Sequence, residues 1–257
     1  MPCDPGHYCQ ESGLSNVTGE CFAGYYCVEG SDSPTPTNDT GFICPIGNYC
    51  PQGSYAPVPC PNATYMNHTG AEECYECPEG YYCTNRDRAD ICPQGFYCPQ
   101  GTGIGFIPCP EGTFGASEGL ASEADCSPCT GGQFCDRAGL TEPAGPCAPG
   151  HYCTSGVNIT NPEVGVAFTG DGGLCFAGYE CPENSTFPTP CGPGFYAPLD
   201  GMAACAVCEE GYYCINVTVN PDICPQGYYC PAGTQFAEQF PCDEGTYNND
   251  TGESEHM

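Results

Sequence analysis

The 257-residue chain has no lysine, no tryptophan, three arginines and five leucines. Leu, Ile, Val and Phe together number 34, or 13%. That is too little apolar mass for one large core, so a doubly wound α/β enzyme, a helical bundle and any other single large domain are excluded. No run of 18 apolar residues occurs, so no segment reads as a membrane-spanning helix. The first residues, MPCDPGHYC, carry neither a basic flank nor an apolar stretch and do not read as a signal peptide. Cations are nearly missing: 32 carboxylates face Arg86, Arg88 and Arg137, for a net charge of −29. Such a surface repels phosphate backbones and anionic headgroups, which excludes nucleic acid as a partner.

Cysteine is abundant instead, with 27 residues, or about one in ten. At that density, cross-links replace the missing core and imply an oxidising, extracellular compartment. Because no leader is visible, the expectation is a piece of a longer secreted protein. Eight of the 13 asparagines lie in N-x-[ST] sequons: Asn16, Asn38, Asn62, Asn67, Asn158, Asn184, Asn216 and Asn249. With Ser and Thr at 12% of the chain, chance supplies between one and two. The excess predicts a heavily N-glycosylated surface.

The cysteines are periodic. A short unit, C-x2-G-x-[YF]-C, occurs ten times, opening at Cys3, Cys21, Cys44, Cys77, Cys92, Cys129, Cys147, Cys175, Cys208 and Cys224. Glycine is invariant at the third position after the first cysteine, and only Glu180 replaces the aromatic. A second, longer unit runs Cys60 to Cys74, Cys109 to Cys126 and Cys191 to Cys205, and Cys242 opens a fourth. The halves match at offsets of 126 (Cys3 to Cys129), 131 (Cys60 to Cys191) and 133 (Cys109 to Cys242). Two superrepeats follow, 1–128 and 129–257, the second cut after Cys242. With 36 Gly and 28 Pro, no window keeps a helical apolar stripe. The fold class expected is small disulfide-rich tandem repeats: short β-hairpins and irregular loops, almost no helix, drawn out into an elongated rod. Gly in each unit is expected to supply a positive φ or a close backbone approach. The segment SDSPTPTNDT (31–40) reads as an extended, O-glycosylated connector.

Chemical sites are sparse. The C-x2-C spacings could hold zinc, but each belongs to a disulfide-type repeat. A redox thiol needs a nearby cation, which this chain scarcely has. Three disulfide schemes fit the spacing: each short unit closed on itself (Cys3–Cys9), a shifted set (Cys9–Cys21) and a crossed set (Cys77–Cys92, Cys83–Cys98). The aromatics before the second cysteines (Tyr8, Tyr82, Tyr97, Tyr213, Tyr229) are expected to pack on their own disulfide and turn rather than to bind a ligand. His7, His68, His151 and His256 are scattered, and H-E-x-x-H does not occur, so no enzyme and no cofactor are expected. There is no EF-hand loop. Weak, multi-site Ca2+ binding by the carboxylates is the one metal reading left open.

The long unit followed by a short one, as in CPNATYMNHTGAEECYECPEGYYC and CPEGTFGASEGLASEADCSPCTGGQFC, resembles the ephrin-receptor-like cysteine-rich repeats, and more distantly EGF-like and tumour-necrosis-factor-receptor modules. The resemblance implies that the long loops close as Cys60–Cys74, Cys109–Cys126 and Cys191–Cys205. Ala63 departs from it, standing where the family has glycine. Long glycosylated, lysine-free arrays are also similar to mastigoneme proteins, the hair-like fibres on protist flagella. These resemblances imply a structural, non-enzymatic repeat region of a secreted glycoprotein that assembles with copies of itself into an extracellular, cell-surface filament or coat. The rival is the stalk or ligand-binding ectodomain of a receptor or adhesin, for which 154–174 is the stretch that most breaks the repeat.

Overall fold

Each repeat opens with a turn that its glycine makes possible. In C-P-E-G-Y, Gly80 has φ +77°, and the Tyr81 N–H donates back to the Pro78 carbonyl at 3.2 Å. This is type II geometry, which needs a residue tolerant of positive φ at its third position. The two residues after the turn are extended and pair with a second short strand. The computed structural model describes residues 1–163 and 172–255. Among these it contains twelve two-stranded antiparallel sheets, no α-helix and one 3-10 turn, Glu123–Asp125. Tyr81–Tyr82 pairs with Asp90–Ile91, and Tyr212–Tyr213 with Asp222–Ile223, at the same register. The chain is therefore a disulfide-rich tandem-repeat protein of hairpins and loops.

It divides into two compact units, Met1–Cys109 with Gly115–Cys126, and Pro110–Phe114 with Ser127–Met257. Within the first unit, each hairpin is tied to the next by main-chain bonds. Gly6 N–H donates to the Cys27 carbonyl (2.8 Å), Cys9 N–H to Ser31 (2.9 Å), and Gly30 N–H returns to Cys3 (2.8 Å). One step on, Gly24, Cys27 and Gly53 donate to Cys50, Ser54 and Cys21 in the same order. Within the second unit, Gly211, Cys214 and Gly233 repeat the pattern with Cys230, Thr234 and Cys208. Because this seam is main chain, it satisfies the backbone groups of each short hairpin whatever the outward side chains are. Very short strands gain from a neighbour what they cannot gain alone.

The core is cystine. Thirteen disulfides form, each with Cα atoms 5.8–5.9 Å apart, and most of their cysteines are fully buried. Of the three schemes consistent with spacing, the structure has each short unit closed on itself. It pairs Cys60 with Cys74, Cys109 with Cys126 and Cys191 with Cys205. Cys242 is the one free cysteine.

Two details differ from the sequence-based expectations. First, the long units are not a separate kind of module. Thr64–Tyr65 pairs with Tyr75–Glu76 as any short unit does. The place of the second cysteine is taken by Met66, Gly115 or Ala197, and the carbonyl at that place still accepts the seam bond, from Gly47, Gly95 and Gly178 respectively. With no partner there, the first cysteine bonds the one that immediately precedes the second strand instead. Met66 fills the vacated space against Cys60 and Ala71 and is 1% exposed. Second, 31–40 is not a free connector. It is the loop of the hairpin Tyr25–Cys27 with Gly41–Ile43. Ser31 and Pro36 are fully buried, and the Pro34 carbonyl accepts from Phe22 N–H (3.0 Å). Its backbone finds partners by folding back, which an extended Pro/Ser linker would leave to water.

Candidate functional site: the inter-repeat seam and the sequon surface

The aromatic ahead of each second cysteine is placed by strand alternation. Neighbouring residues of a strand face opposite ways, so when the cysteine turns inward to its own partner, the ring turns to the following repeat. Phe114 packs against Cys129, Cys135 and Leu140. Phe134 packs against Cys147, Cys153 and Val157. Tyr152 packs with Cys175 and Cys181. For Phe114, Phe134 and Tyr152 the expectation that each ring covers its own disulfide is therefore corrected: each covers the next one. Rings also meet other rings. Tyr82 and Phe96 both pack edge-on against Phe106, at 5.3 and 4.7 Å between centroids, and Tyr229 lies 5.5 Å from Phe240. Tyr8 and Phe134 also lie over the cross-strand glycines Gly19 and Gly145, where an added Cβ would stand 3.1 and 3.4 Å from the ring. Tyr97 and Tyr213 are half-buried in the same position of their hairpins.

The outer rows are apolar in places. Ile43, Ile91 and Ile223 are exposed at their edges, yet each lies against a loop glycine, Gly70, Gly119 and Gly252. In short repeats the equivalent glycine, such as Gly53 or Gly101, belongs to a motif that the cysteine spacing hides. The second cysteine of many repeats opens another turn, C-P-x-G-[ST], whose hydroxyl donates to the proline carbonyl, as in Ser54 to Pro51 and Thr102 to Pro99 (both 2.6 Å). The signal was present in CPQGS, CPQGT and CPAGT. Ala63, Asn184 and Val217 stand at glycine positions and keep φ of 65°, 69° and 57°. At Ala63 the turn survives, and Cys77 N–H still donates to its carbonyl (2.9 Å).

All eight sequon asparagines are exposed. Asn62, Asn184 and Asn216 lie in the cysteine turns. Asn67 and Asn249 occupy equivalent places in two long units, and Asn16, Asn38 and Asn158 lie in hairpin loops. The Asn38 side-chain oxygen accepts from both the N–H and the hydroxyl of Thr40 (3.0 and 2.6 Å), a closed Asx turn.

Charge is dispersed rather than gathered. Among the described residues no group of three or more His, Cys, Asp or Glu side chains converges as metal ligands. His7 and His151 occupy equivalent places, each with Nδ1 near a turn proline carbonyl (3.3 and 3.4 Å). His68 lies edge-on to Tyr75. His256, and 164–171 of the repeat-breaking stretch, lie outside the described residues. Arg88 pairs with Asp90 at 2.9 Å, and the bond holds its guanidinium pKa above the usual value. Arg137 lies 3.9 Å from Asp136. Asp125 accepts from the Ser122 N–H and hydroxyl and the Ala121 N–H, which lowers its pKa. Burial, then the nearby Glu209 carboxylate, raises that of Tyr196.

No protein-family model matches the chain, and no curated protein does. Among the described residues no helix is long and apolar enough to cross a membrane. The disulfide-rich repeat pattern fits a secreted or extracellular structural protein.

Proposed function

We propose that this chain is a rod-forming segment of a secreted, N-glycosylated protein that assembles into an extracellular fibre or coat, in the manner of flagellar hairs, with neighbouring copies as its partners. The observation that carries the reading is the seam. All but one of the hairpins are joined to the next by the same main-chain bonds within each unit, a construction that grows by addition, as solenoid repeats do. Disulfides hold each hairpin without a large core. Glycans on the exposed sequon residues would keep the acidic surface hydrated. The exposed rims of Ile43, Ile91 and Ile223 would remain for lateral contact. The ephrin-receptor-like and mastigoneme resemblances favour the same role, and no catalytic function is proposed.

The test is electron microscopy of native, unreduced material with and without calcium. Regular filaments are the expected result. Single separate rods at high concentration, in calcium as well as without it, would sink the fibre reading and fit a receptor or adhesin stalk instead.

A further inference from the structure

The regular seam is interrupted at one place in the first unit. After Cys83 the chain reads TNRD, with no glycine where other repeats have P-x-G-[ST]. The neighbouring repeat places Gly101 N–H on the Cys77 carbonyl (2.8 Å) and Thr102 beneath Cys83. Here, by contrast, the link is the Arg86 carbonyl, accepting from Met66 N–H (2.8 Å). The irregular turn leaves a notch of about 610 Å3 lined by Ile46, Asn48, Pro61, Asn62, Asn85 and Arg86, among others.

Three features of the notch point to one occupant. Arg86 is the only arginine with no carboxylate partner among the described residues, although the chain carries 32 carboxylates. A guanidinium has five donors and no acceptor, so it needs oxygen acceptors. The two amides leave complementary groups. Asn48 uses its NH2 on the Ile46 carbonyl (3.0 Å) and Asn85 its NH2 on Asp90 (3.3 Å), so both side-chain oxygens are free to accept. Asn62 is itself a sequon residue; its side chain makes no hydrogen bond among the described residues, and its Thr64 hydroxyl is turned back to the Pro61 carbonyl (2.8 Å). A sugar on Asn62 would therefore be delivered covalently to this wall. The volume is within the range of about 300–1,000 Å3 that holds small ligands.

We infer that the notch beside Arg86 seats the two innermost N-acetylglucosamines of an N-glycan on Asn62. Sugar hydroxyls and acetamido carbonyls accept from Arg86. Hydroxyls donate to the Asn48 and Asn85 oxygens, and the C–H faces lie on Ile46 and Pro61. The tether makes the contact intramolecular, so weak bonds suffice. No arginine lines the notch beside Asn16, and the glycans of the other sequons stay free in solvent. This inference rests on the reading that the sequons are glycosylated.

The test uses the full chain, secreted from a eukaryotic host that leaves high-mannose glycans, with occupancy read site by site by mass spectrometry. The folded protein is digested with an endoglycosidase that cuts between the two core sugars. Asn62 is expected to be cut about tenfold or more slowly than Asn16 and Asn216, a difference of ~1.4 kcal/mol. The protection should vanish after reduction and denaturation, and in Arg86→Ala, whose main-chain bond to Met66 is retained. Native disulfide mapping of the variant shows whether it folds. If it does not, the comparison of native with denatured wild type decides alone. Occupied Asn62 cut as fast as Asn16 overturns the inference. Unoccupied Asn62 beside occupied sequons overturns it too, while leaving the glycoprotein reading intact; eight empty sequons overturn both.

Discussion

Replacing Gly80 with alanine tests the seam at one of its close approaches. The Gly80 N–H donates to the Cys98 carbonyl at 2.8 Å with φ at +77°. A Cβ built there would lie 2.6 Å from the Gly119 carbonyl oxygen, on the repeat two further along. Gly119 cannot easily retreat, because its own N–H is held by the Cys92 carbonyl at 2.8 Å. Two costs follow. An L-residue in the left-handed region costs about 1–2 kcal/mol, and forcing an atom into a packed contact costs about 1–3 kcal/mol, so Gly80→Ala should destabilise the local seam by roughly 2–5 kcal/mol. Gly13 is the control, with φ +79° and nothing within 4 Å of its Cβ position. Gly13→Ala should cost only the first part. A single melting midpoint is a poor measure here, because long repeat arrays unfold in parts. Native-state hydrogen exchange is local and suits the question. The amides of Cys83 and Gly101, bonded to Thr102 and Cys77, should lose about 30- to 3,000-fold in protection in Gly80→Ala, taking tenfold per 1.4 kcal/mol. The same amides should be unchanged in Gly13→Ala. Equal protection in the two variants would show that the close approach to Gly119 does not hold the seam.

Further predictions follow from the cystine core and the turns. Replacing both Cys60 and Cys74 by serine opens a loop of sequence separation 14, and chain entropy sets the loss at about 3 kcal/mol. The same double change at Cys77 and Cys83, separation 6, should cost somewhat less, roughly 2.3 kcal/mol; urea titrations in which the short pair proves costlier would contradict this. Phe134→Ala uncovers Cys147–Cys153 rather than its own Cys129–Cys135, so reductant should open the former first, read by timed alkylation. The reverse order would restore the view that each ring guards its own disulfide. Ala63→Gly removes left-handed strain and should stabilise by about 0.5–1 kcal/mol after the loss of unfolded-state restriction, seen as slower exchange of the Cys77 amide. Asp125, held below the ordinary aspartate range by the Ser122 and Ala121 bonds, contributes stability that is complete above the unfolded aspartate pKa. That stability is lost as pH falls through the lower folded value. A carbon-detected NMR titration should place its midpoint below that range, and Asp125→Asn should flatten the acid arm of the local exchange profile.

Much of this fold was legible in the residues. Cysteine density, the ten glycines at one spacing and the near absence of Leu and Lys point to stapled hairpins. No other arrangement lets so little apolar mass order a chain. The sequon asparagines can likewise be located in the sequence, because a sequon is a local pattern. Three things were beyond local reading, two of them because they depend on a group from a neighbouring repeat. Disulfide spacing left three pairings open, and the two-residue strands decide among them by setting which cysteines face each other. The rings of Phe134 and Tyr152 serve the next cystine because alternation turns them away from their own. The long and short units looked distinct because the eye follows cysteines, whereas the seam reads main-chain carbonyls and accepts Met66 or Ala197 where a cysteine usually stands. Composition and spacing thus determined the hairpin and its staple. Only the tertiary structure decided what each hairpin rests on, since contacts across repeats depend on backbone geometry that residue identity does not record.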